Sequence, residues 1–197
     1  NRMQSKPRET NVFIADWVEG DKADIAQPKV LKKHISYLAS DELQGRLTGS
    51  AGEKKAADYI VKEFKSLGLN PYANKSYLQT FNYKVKINPH STDASSDKAN
   101  SGTNVIAFLD NKASKTIVIG AHYDHLGLNE HNHSSKPNSH GEIHNGADDN
   151  ASGVAAVLEL ARMYSQNKTK ENVNYIFALF SGEEDGLIGS KHMAESL

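Results

Sequence analysis

Two apolar segments, TIVIGA (residues 116–121) and VNYIFALF (residues 173–180), decide the fold. Their apolar residues run continuously instead of alternating with polar ones, which is typical of strands that are covered on both faces. A mainly parallel sheet with helices on both sides provides such cover. The two segments therefore predict an α/β fold, a three-layer sandwich in which helices flank a mixed, mostly parallel sheet.

Helical periodicity is found between and around these strands. Apolar residues recur at helical spacing over Val30–Leu38, Ser152–Tyr164 and Gly186–Leu197. A further helix begins near Ser50, which with Glu53 forms a capping box ahead of another apolar stripe. These segments supply the helical layers of the predicted sandwich.

The remaining segments are predicted as strands or loops. Alternation favours a half-exposed strand over Tyr77–Ile87, and a short apolar run favours another over Asn104–Leu109. Asp41–Gly52 has three glycines and no period, and Asn88–Thr103 is rich in Asn, Ser, Asp and Gly. Both are predicted to be loops.

Length and composition narrow the class of protein. The chain has 197 residues, 23 basic and 24 acidic side chains, a net charge of -1 and no cysteine. We expect one domain over residues 28–197, preceded by a polar arm over residues 1–27. The balanced charge argues against nucleic-acid binding, and no apolar run approaches the roughly 20 residues of a membrane span. The lack of cysteine excludes a thiol nucleophile and any Cys-ligated zinc.

Residues capable of metal chemistry follow both deciding strands. His122-Tyr123-Asp124-His125 comes after the first strand, and Glu183-Glu184-Asp185 comes shortly after the second. Because ligands of open α/β sheets bind beyond the carboxyl ends of the strands, both groups should lie at one rim. Imidazole and carboxylate without thiolate suit zinc or a similar divalent ion, and the paired glutamates could supply a ligand and a general base.

Six of the nine histidines lie between residues 122 and 144. For His125, packing at the rim and a role in substrate binding are equally good interpretations. His131, His133, His140 and His144 have no regular metal-ligand spacing, so the loop 129–144 is predicted to be a mobile surface insertion.

Three ordered motifs resemble those of zinc aminopeptidases of the M28 family. They are AHYDHLG (121–127), HNGADDNASGVAAVLELAR (144–162) and FALFSGEEDGLIGSKH (177–192). The upstream segment DELQGRLTGS (41–50) is similar to the region that precedes the catalytic core in that family. The resemblance extends from about residue 30 to the end of the chain.

The resemblance implies a role for each site residue. His122 would bind one zinc ion and Glu184 a second, with Asp148 bridging both and followed by a cis peptide bond. Glu183 would be the general base, and Asp124 would orient the imidazole of His122.

The family takes two further ligands, an Asp and a late His, from beyond the helix that follows the glutamate pair. Asp185 and His192 lie too close to that pair to take these roles. We therefore expect the sequence to be the N-terminal part of a longer enzyme, with the sheet incomplete at its C-terminal side.

The resemblance predicts hydrolysis of N-terminal residues from peptides with a free amino terminus, and a secreted or periplasmic location. Two alternatives stay open: a single-zinc glutaminyl cyclase-like enzyme of the same fold, and a non-catalytic binding domain. The sequence leaves the preferred residue and the oligomeric state undetermined.

Overall fold

The computed structural model describes residues 25–72, 75–85, 98–131 and 133–197. In chain order the elements are α1 (Pro28–Leu38), α2 (Ala51–Ser66), β1 (Asn70–Pro71), β2 (Leu78–Val85), β3 (Lys98–Leu109), β4 (Thr116–His122), α3 (Ser152–Gln166), β5 (Asn174–Phe180) and α4 (Ile188–Glu195). A 3-10 helix (Asp41–Arg46) follows α1, and a π-helical turn (Ala147–Ala151) leads into α3. Within these ranges, no helix is both long enough and apolar enough to cross a membrane.

The strands form one mixed sheet in the order β1-β3-β5-β4, with β2 also paired to β3. β4 and β5 are parallel, and their register places His122 opposite Phe180. The segments that follow these two residues therefore leave the sheet side by side. The mixed sheet agrees with the prediction, but the predicted majority of parallel pairs does not, because the other three pairings described are antiparallel. A strand covered on both faces has the same continuous apolar sequence in a parallel and in an antiparallel sheet. Its sequence therefore does not predict the direction of the neighbouring strands.

Helices cover both faces of the sheet, which confirms the predicted three layers. Phe177 and Leu179 of β5 face the larger core, which they share with α1, α2 and α3. The alternate residues Ile176 and Ala178 face the opposite side, where they pack with Met193 of α4. The alternation of β5 between two apolar cores explains its continuous apolar sequence.

The predicted start of α2 is confirmed by its capping contacts. The Ser50 hydroxyl accepts a hydrogen bond from the Glu53 amide at 3.1 Å. The Glu53 carboxylate in turn accepts one from the Gly49 amide at 2.7 Å. These bonds satisfy amide groups that have no partner within the helix, so they fix where it begins.

Two predicted loops contain regular structure. β3 begins at Lys98, so residues 98–103 are a strand that pairs with β2 despite their polar side chains. The segment predicted as a loop from Asp41 begins with the 3-10 helix. In both places backbone hydrogen bonding prevails over a composition that favours turns. Residues 1–24 of the predicted arm lie outside the described residues, so the arm stays a prediction.

β4 is not covered on both faces as predicted. Ile117 and Val118 are 46% and 47% exposed. In the described part of the chain β4 pairs with β5 alone and lies at the edge of the sheet. A continuous apolar run therefore marked the strand correctly but not its place in the sheet.

Candidate metal centre

The predicted site residues from β4 and β5 meet at the carboxyl ends of these strands. His122 is the last residue of β4, and the segment Ser181–Asp185 follows β5 directly. The π-helical turn adds Asp149 to the same rim. The His122 Nε2 atom lies 3.0 Å from Asp149 Oδ1 and 3.9 Å from Glu183 Oε2.

Three of these side chains offer a compact set of metal ligands. His122, Asp149 and Glu184 each present one donor atom, and the three atoms lie within 4.8 Å of one another. We call this group the first cluster. One imidazole nitrogen and two carboxylates are a donor set that zinc accepts in catalytic sites, so the residues present fit the ion that the sequence predicts.

Asp124 occupies the position expected of a residue that orients His122. Its backbone carbonyl lies 3.2 Å from His122 Nδ1, and its Oδ1 atom lies 3.6 Å from the same nitrogen. A proton on Nδ1 would satisfy these acceptors and leave the Nε2 lone pair directed at the first cluster. The Asp124 side chain is fully buried. It also accepts hydrogen bonds from the amides of Glu183 at 3.2 Å and Glu184 at 3.4 Å.

Glu183 and Glu184 differ in their surroundings although they are adjacent. Glu184 is mostly buried and lies 2.5 Å from His125 Nδ1. The Glu183 side chain is 35% exposed. Burial raises the pKa of Glu183, and Glu184 adds to that shift, whereas His122 opposes it. His125 therefore contacts a residue of the first cluster, and both interpretations of its role stay open.

The structure places Asp149, rather than the predicted Asp148, beside His122. Asp148 is exposed and is absent from the first cluster, although its backbone carbonyl accepts a hydrogen bond from Ser152 at 2.8 Å. The cis peptide bond, expected after Asp148, joins Asp149 and Asn150. Two adjacent aspartates are equivalent by type and spacing, and only the local backbone decides which one faces the rim.

Carboxylates surround the imidazole of His122 at the rim. Burial disfavours the charged imidazole of His122, but Asp124, Glu183 and Asp149 outweigh that effect and raise its pKa to about 9. A group of carboxylates that stabilises a proton on imidazole also attracts a divalent cation to the same place.

Arg46, which the sequence analysis did not single out, holds the loops behind the rim. It is fully buried, and its guanidinium donates hydrogen bonds to backbone carbonyls of Leu38, Tyr123 at 2.7 Å, Asn145 at 2.7 Å and Gly146 at 3.0 Å. Burial lowers the pKa of Arg46 to about 10, although nearby carboxylates of the rim favour its charged form. An arginine within a polar loop carries no sequence signal for such a role.

A second group of buried polar residues connects α2 to the glutamate pair. The Glu53 carboxylate accepts hydrogen bonds from Ser181 Oγ at 2.5 Å and from the Thr103 amide at 3.1 Å. Thr48 donates to Asp124 Oδ2 at 3.0 Å. Burial raises the pKa of Glu53. The sequence identified Glu53 as a capping residue, and its contacts with β3 and the end of β5 arise only in the folded chain.

The histidine-rich loop is partly packed, whereas the sequence predicted a surface insertion throughout. Asn129 and Ser139 are buried, and Asn129 Nδ2 donates to Ser139 Oγ at 3.1 Å. His131 and His133 turn inward toward Asp185. His140 remains exposed, as predicted for the whole loop. Side-chain hydrogen bonds within the loop order a segment whose composition suggested only solvent contact.

Comparison with known proteins gives the same assignment as the motifs. A family model described as peptidase family M28 matches residues 104–197. The chain is 30% identical over 154 residues to the alkaline phosphatase isozyme conversion protein of Escherichia coli. The aligned region covers 78% of this chain and 42% of that protein. The chain spans about half the length or less of the first curated relatives that it matches.

Solved structures agree at the level of the fold. A glutaminyl cyclase from Fimbriiglobus ruber superimposes with a TM-score of 0.68 at 22% identity, over 92% of this chain and 59% of that one. An aminopeptidase from an Aneurinibacillus species gives 0.65 at 21% identity, over 89% and 67%. The solved structures show a shared α/β fold, and the ordered motifs agree with the family match, by which residues 104–197 belong to peptidase family M28.

Proposed function

We propose that the chain carries the catalytic rim of a zinc-dependent aminopeptidase that removes N-terminal residues from peptides. The observation that supports this most is the first cluster, in which one histidine and two carboxylates converge within 4.8 Å beside Glu183. Family membership adds weight to hydrolysis of peptide bonds as the reaction. The carboxylates of the rim would also attract the protonated amino terminus of a peptide, which favours attack at the chain end.

Each residue of the rim has a distinct proposed task. His122, Asp149 and Glu184 hold zinc, and Asp124 keeps the imidazole of His122 in the tautomer that leaves Nε2 free. Zinc, when bound, would polarise the peptide carbonyl and lower the pKa of water. Glu183 Oε2 lies near the cluster without belonging to it, so its carboxylate can accept a proton from the attacking water and pass it to the leaving amine.

The proposal includes two zinc ions. Asp149, with two carboxylate oxygens, would contribute to both ions, and His122 and Glu184 would supply the other ligands of the first cluster. Asp149 thereby takes the bridging role that the resemblance implied for its neighbour. With two ions bound, the site would supply Lewis-acid activation of both the water and the peptide carbonyl.

Replacement of Glu183 by Gln tests the proposed base. E183Q preserves the shape of the side chain and removes its ability to accept a proton. We expect kcat for aminoacyl anilides to fall by about 10²–10⁴-fold while the zinc content is unchanged. The measurements are steady-state kinetics and elemental analysis of the same preparation.

Glu195→Gln is the matched control, because Glu195 on α4 is 67% exposed and does not belong to the first cluster. It should leave kcat unchanged. If E183Q with its zinc retained keeps normal turnover, Glu183 is not the base.

A glutaminyl cyclase-like activity is the alternative that a specific observation favours. The described donors of the first cluster suffice for a single zinc ion, which is all that such an enzyme requires. The two functions give different products from a peptide that begins with glutamine. Release of the free residue supports the aminopeptidase, whereas release of ammonia without shortening of the peptide would replace it with the cyclase.

A further inference from the structure

We propose that His131, His133 and Asp185 form a second zinc site, separate from the first cluster, that fastens the histidine-rich loop to the rim. The Nδ1 atom of His131 lies 3.0 Å from Asp185 Oδ1, and that of His133 lies 3.7 Å from the same oxygen. All three ligand atoms lie within 4.8 Å of one another. We call this group the second cluster.

The separations suit tetrahedral zinc. Zinc binds nitrogen and carboxylate oxygen at about 2.0–2.2 Å, so neighbouring ligands of a tetrahedral site lie roughly 3.3–3.5 Å apart. The two observed nitrogen-to-oxygen distances fall on either side of that range, so shifts of a few tenths of an ångström would complete the geometry. Two imidazoles and one carboxylate favour zinc over calcium or magnesium, which prefer oxygen ligands.

The carboxylate of the second cluster is already oriented. The Tyr83 hydroxyl donates a hydrogen bond to Asp185 Oδ2. The other carboxylate oxygen, Oδ1, then faces the two imidazoles. Asn100 Nδ2 donates to the Tyr83 oxygen at 2.9 Å and so supports the tyrosine from behind. Hydrogen bonds of this kind, which fix a ligand before the metal arrives, are characteristic of metal sites.

The second cluster is also sheltered from solvent. The side chain of Asp185 is 3% exposed, and those of His131 and His133 are 18% and 19% exposed. The imidazole rings are 5.7 Å apart between centroids and meet edge to face, so both nitrogens can point to one centre. The three groups come from the histidine-rich loop and from the turn between β5 and α4, and His131 and Asp185 are 54 residues apart in the sequence. Three protein ligands leave one position of a tetrahedral site for a further ligand such as water.

The second cluster is connected along the chain to residues of the first cluster. Asp185 follows Glu184 directly, and the loop that carries both histidines leads to Asp149. Zinc at the second cluster would therefore connect to two residues of the first cluster, to Glu184 as the neighbour of Asp185 and to Asp149 through the rest of the loop. This inference does not depend on the proposed peptidase reaction, because it concerns zinc binding alone.

Zinc stoichiometry of the purified protein is the first test. We expect H131Q/H133Q to bind one equivalent of zinc fewer than the wild type in a titration of metal-free protein with zinc chloride. H140Q is the matched control, because His140 belongs to the same loop but is exposed and outside the second cluster. It should bind as many equivalents as the wild type. Equal stoichiometry in H131Q/H133Q and wild type would overturn the proposal.

Histidine modification of the wild type is the second test, and it needs no variant to fold. Diethyl pyrocarbonate labels accessible imidazoles, and mass spectrometry locates the label. We expect added zinc to protect His131 and His133 and to leave labelling of His140 unchanged. Labelling of His131 and His133 that zinc does not alter would refute the site. Loss of activity in E183Q bears on neither result, so the two proposals fail independently.

Discussion

Asp124 shows how much a single buried carboxylate can organise. Its backbone carbonyl lies beside His122 Nδ1, and its side chain accepts hydrogen bonds from the backbone amides of Glu183 and Glu184. The ends of two neighbouring strands are therefore linked through one side chain. Hydrogen bonds to a buried acceptor matter for stability, because each buried polar group without a partner costs about 1–3 kcal/mol of folding free energy.

Asp149 and Asp148 offer a direct test of which aspartate binds metal. We expect D149N to weaken zinc binding more than about 100-fold, because loss of a ligand exceeds the 10–100-fold cost of losing an outer partner. D148N changes an exposed side chain outside the first cluster, so its zinc affinity should stay within about threefold of the wild type. Competition with a chelator measures both affinities. A larger loss in D148N would restore the assignment implied by the sequence motifs.

The limits of sequence reasoning at this scale have a physical origin. His122 and the Glu183-Glu184 pair could be recognised because they follow apolar strands, and strand ends meet at a rim. The choice between Asp148 and Asp149 depends on backbone dihedrals within a π-helical turn, which carry no periodic signal. Arg46 binds four backbone carbonyls, three of which come from distant segments, so only the folded chain reveals its role.

At the scale of elements, an ion pair on helix α3 holds the described residues that precede α1. Glu159 lies one turn before Arg162 and accepts hydrogen bonds from its guanidinium at 2.9 Å. The Gln27 amide also donates to Glu159, at 2.5 Å, and Arg162 donates to the Ile25 carbonyl at 2.9 Å. These contacts secure the segment that enters α1 to the surface of α3.

This ion pair predicts a dependence of stability on pH. Burial opposes ionisation of Glu159, but hydrogen bonds from Arg162 and Gln27 outweigh it and hold its pKa below the ordinary 4.5. The unfolded chain then binds the proton more readily than the folded chain, so the contribution is full above about pH 5 and is lost as the pH falls below 4.5. We expect E159Q to lower the free energy of unfolding by about 1–3 kcal/mol at pH 7 and by less at pH 3.5.

Urea unfolding of E159Q and wild type at the two pH values measures the effect. E195Q serves as the control, since Glu195 is exposed and should change stability little at either pH. A difference between wild type and E159Q that is the same at both pH values would show that Glu159 contributes by packing rather than by charge.

The helices and strands could largely be predicted from the sequence, but the elements beside which each one packs or pairs could not. The capping pair Ser50 and Glu53 located α2, and the apolar stripe of α3 located that helix, because these signals lie within one element. β4 was misjudged as a covered strand, since coverage depends on what lies beside it in space. The extent of β3 was misjudged for the same reason: its polar first half is held by pairing with β2.

At the scale of the whole molecule, Phe177 joins the layers. It is fully buried in β5 and packs with Phe64 at 6.4 Å and with Tyr175 at 6.1 Å between ring centroids. We expect Phe177→Ala to lower the free energy of unfolding by about 3–5 kcal/mol through lost burial and a cavity. Ile117→Ala, at the half-exposed edge, should cost about 1 kcal/mol. Denaturant titration compares the two, and equal costs would contradict the assignment of the core.

The register of β4 and β5 has a consequence for how the protein would lose its metal. His122 and the glutamate pair are carried by adjacent strand ends, and Asp124 ties those ends together. Separation of the two strands would dismantle the first cluster in the same event. A ligand that binds only the folded state raises its stability by an amount set by concentration and affinity. Zinc release and unfolding of the sheet should therefore occur in one cooperative transition, because the bound ion stabilises the pairing of the two strands.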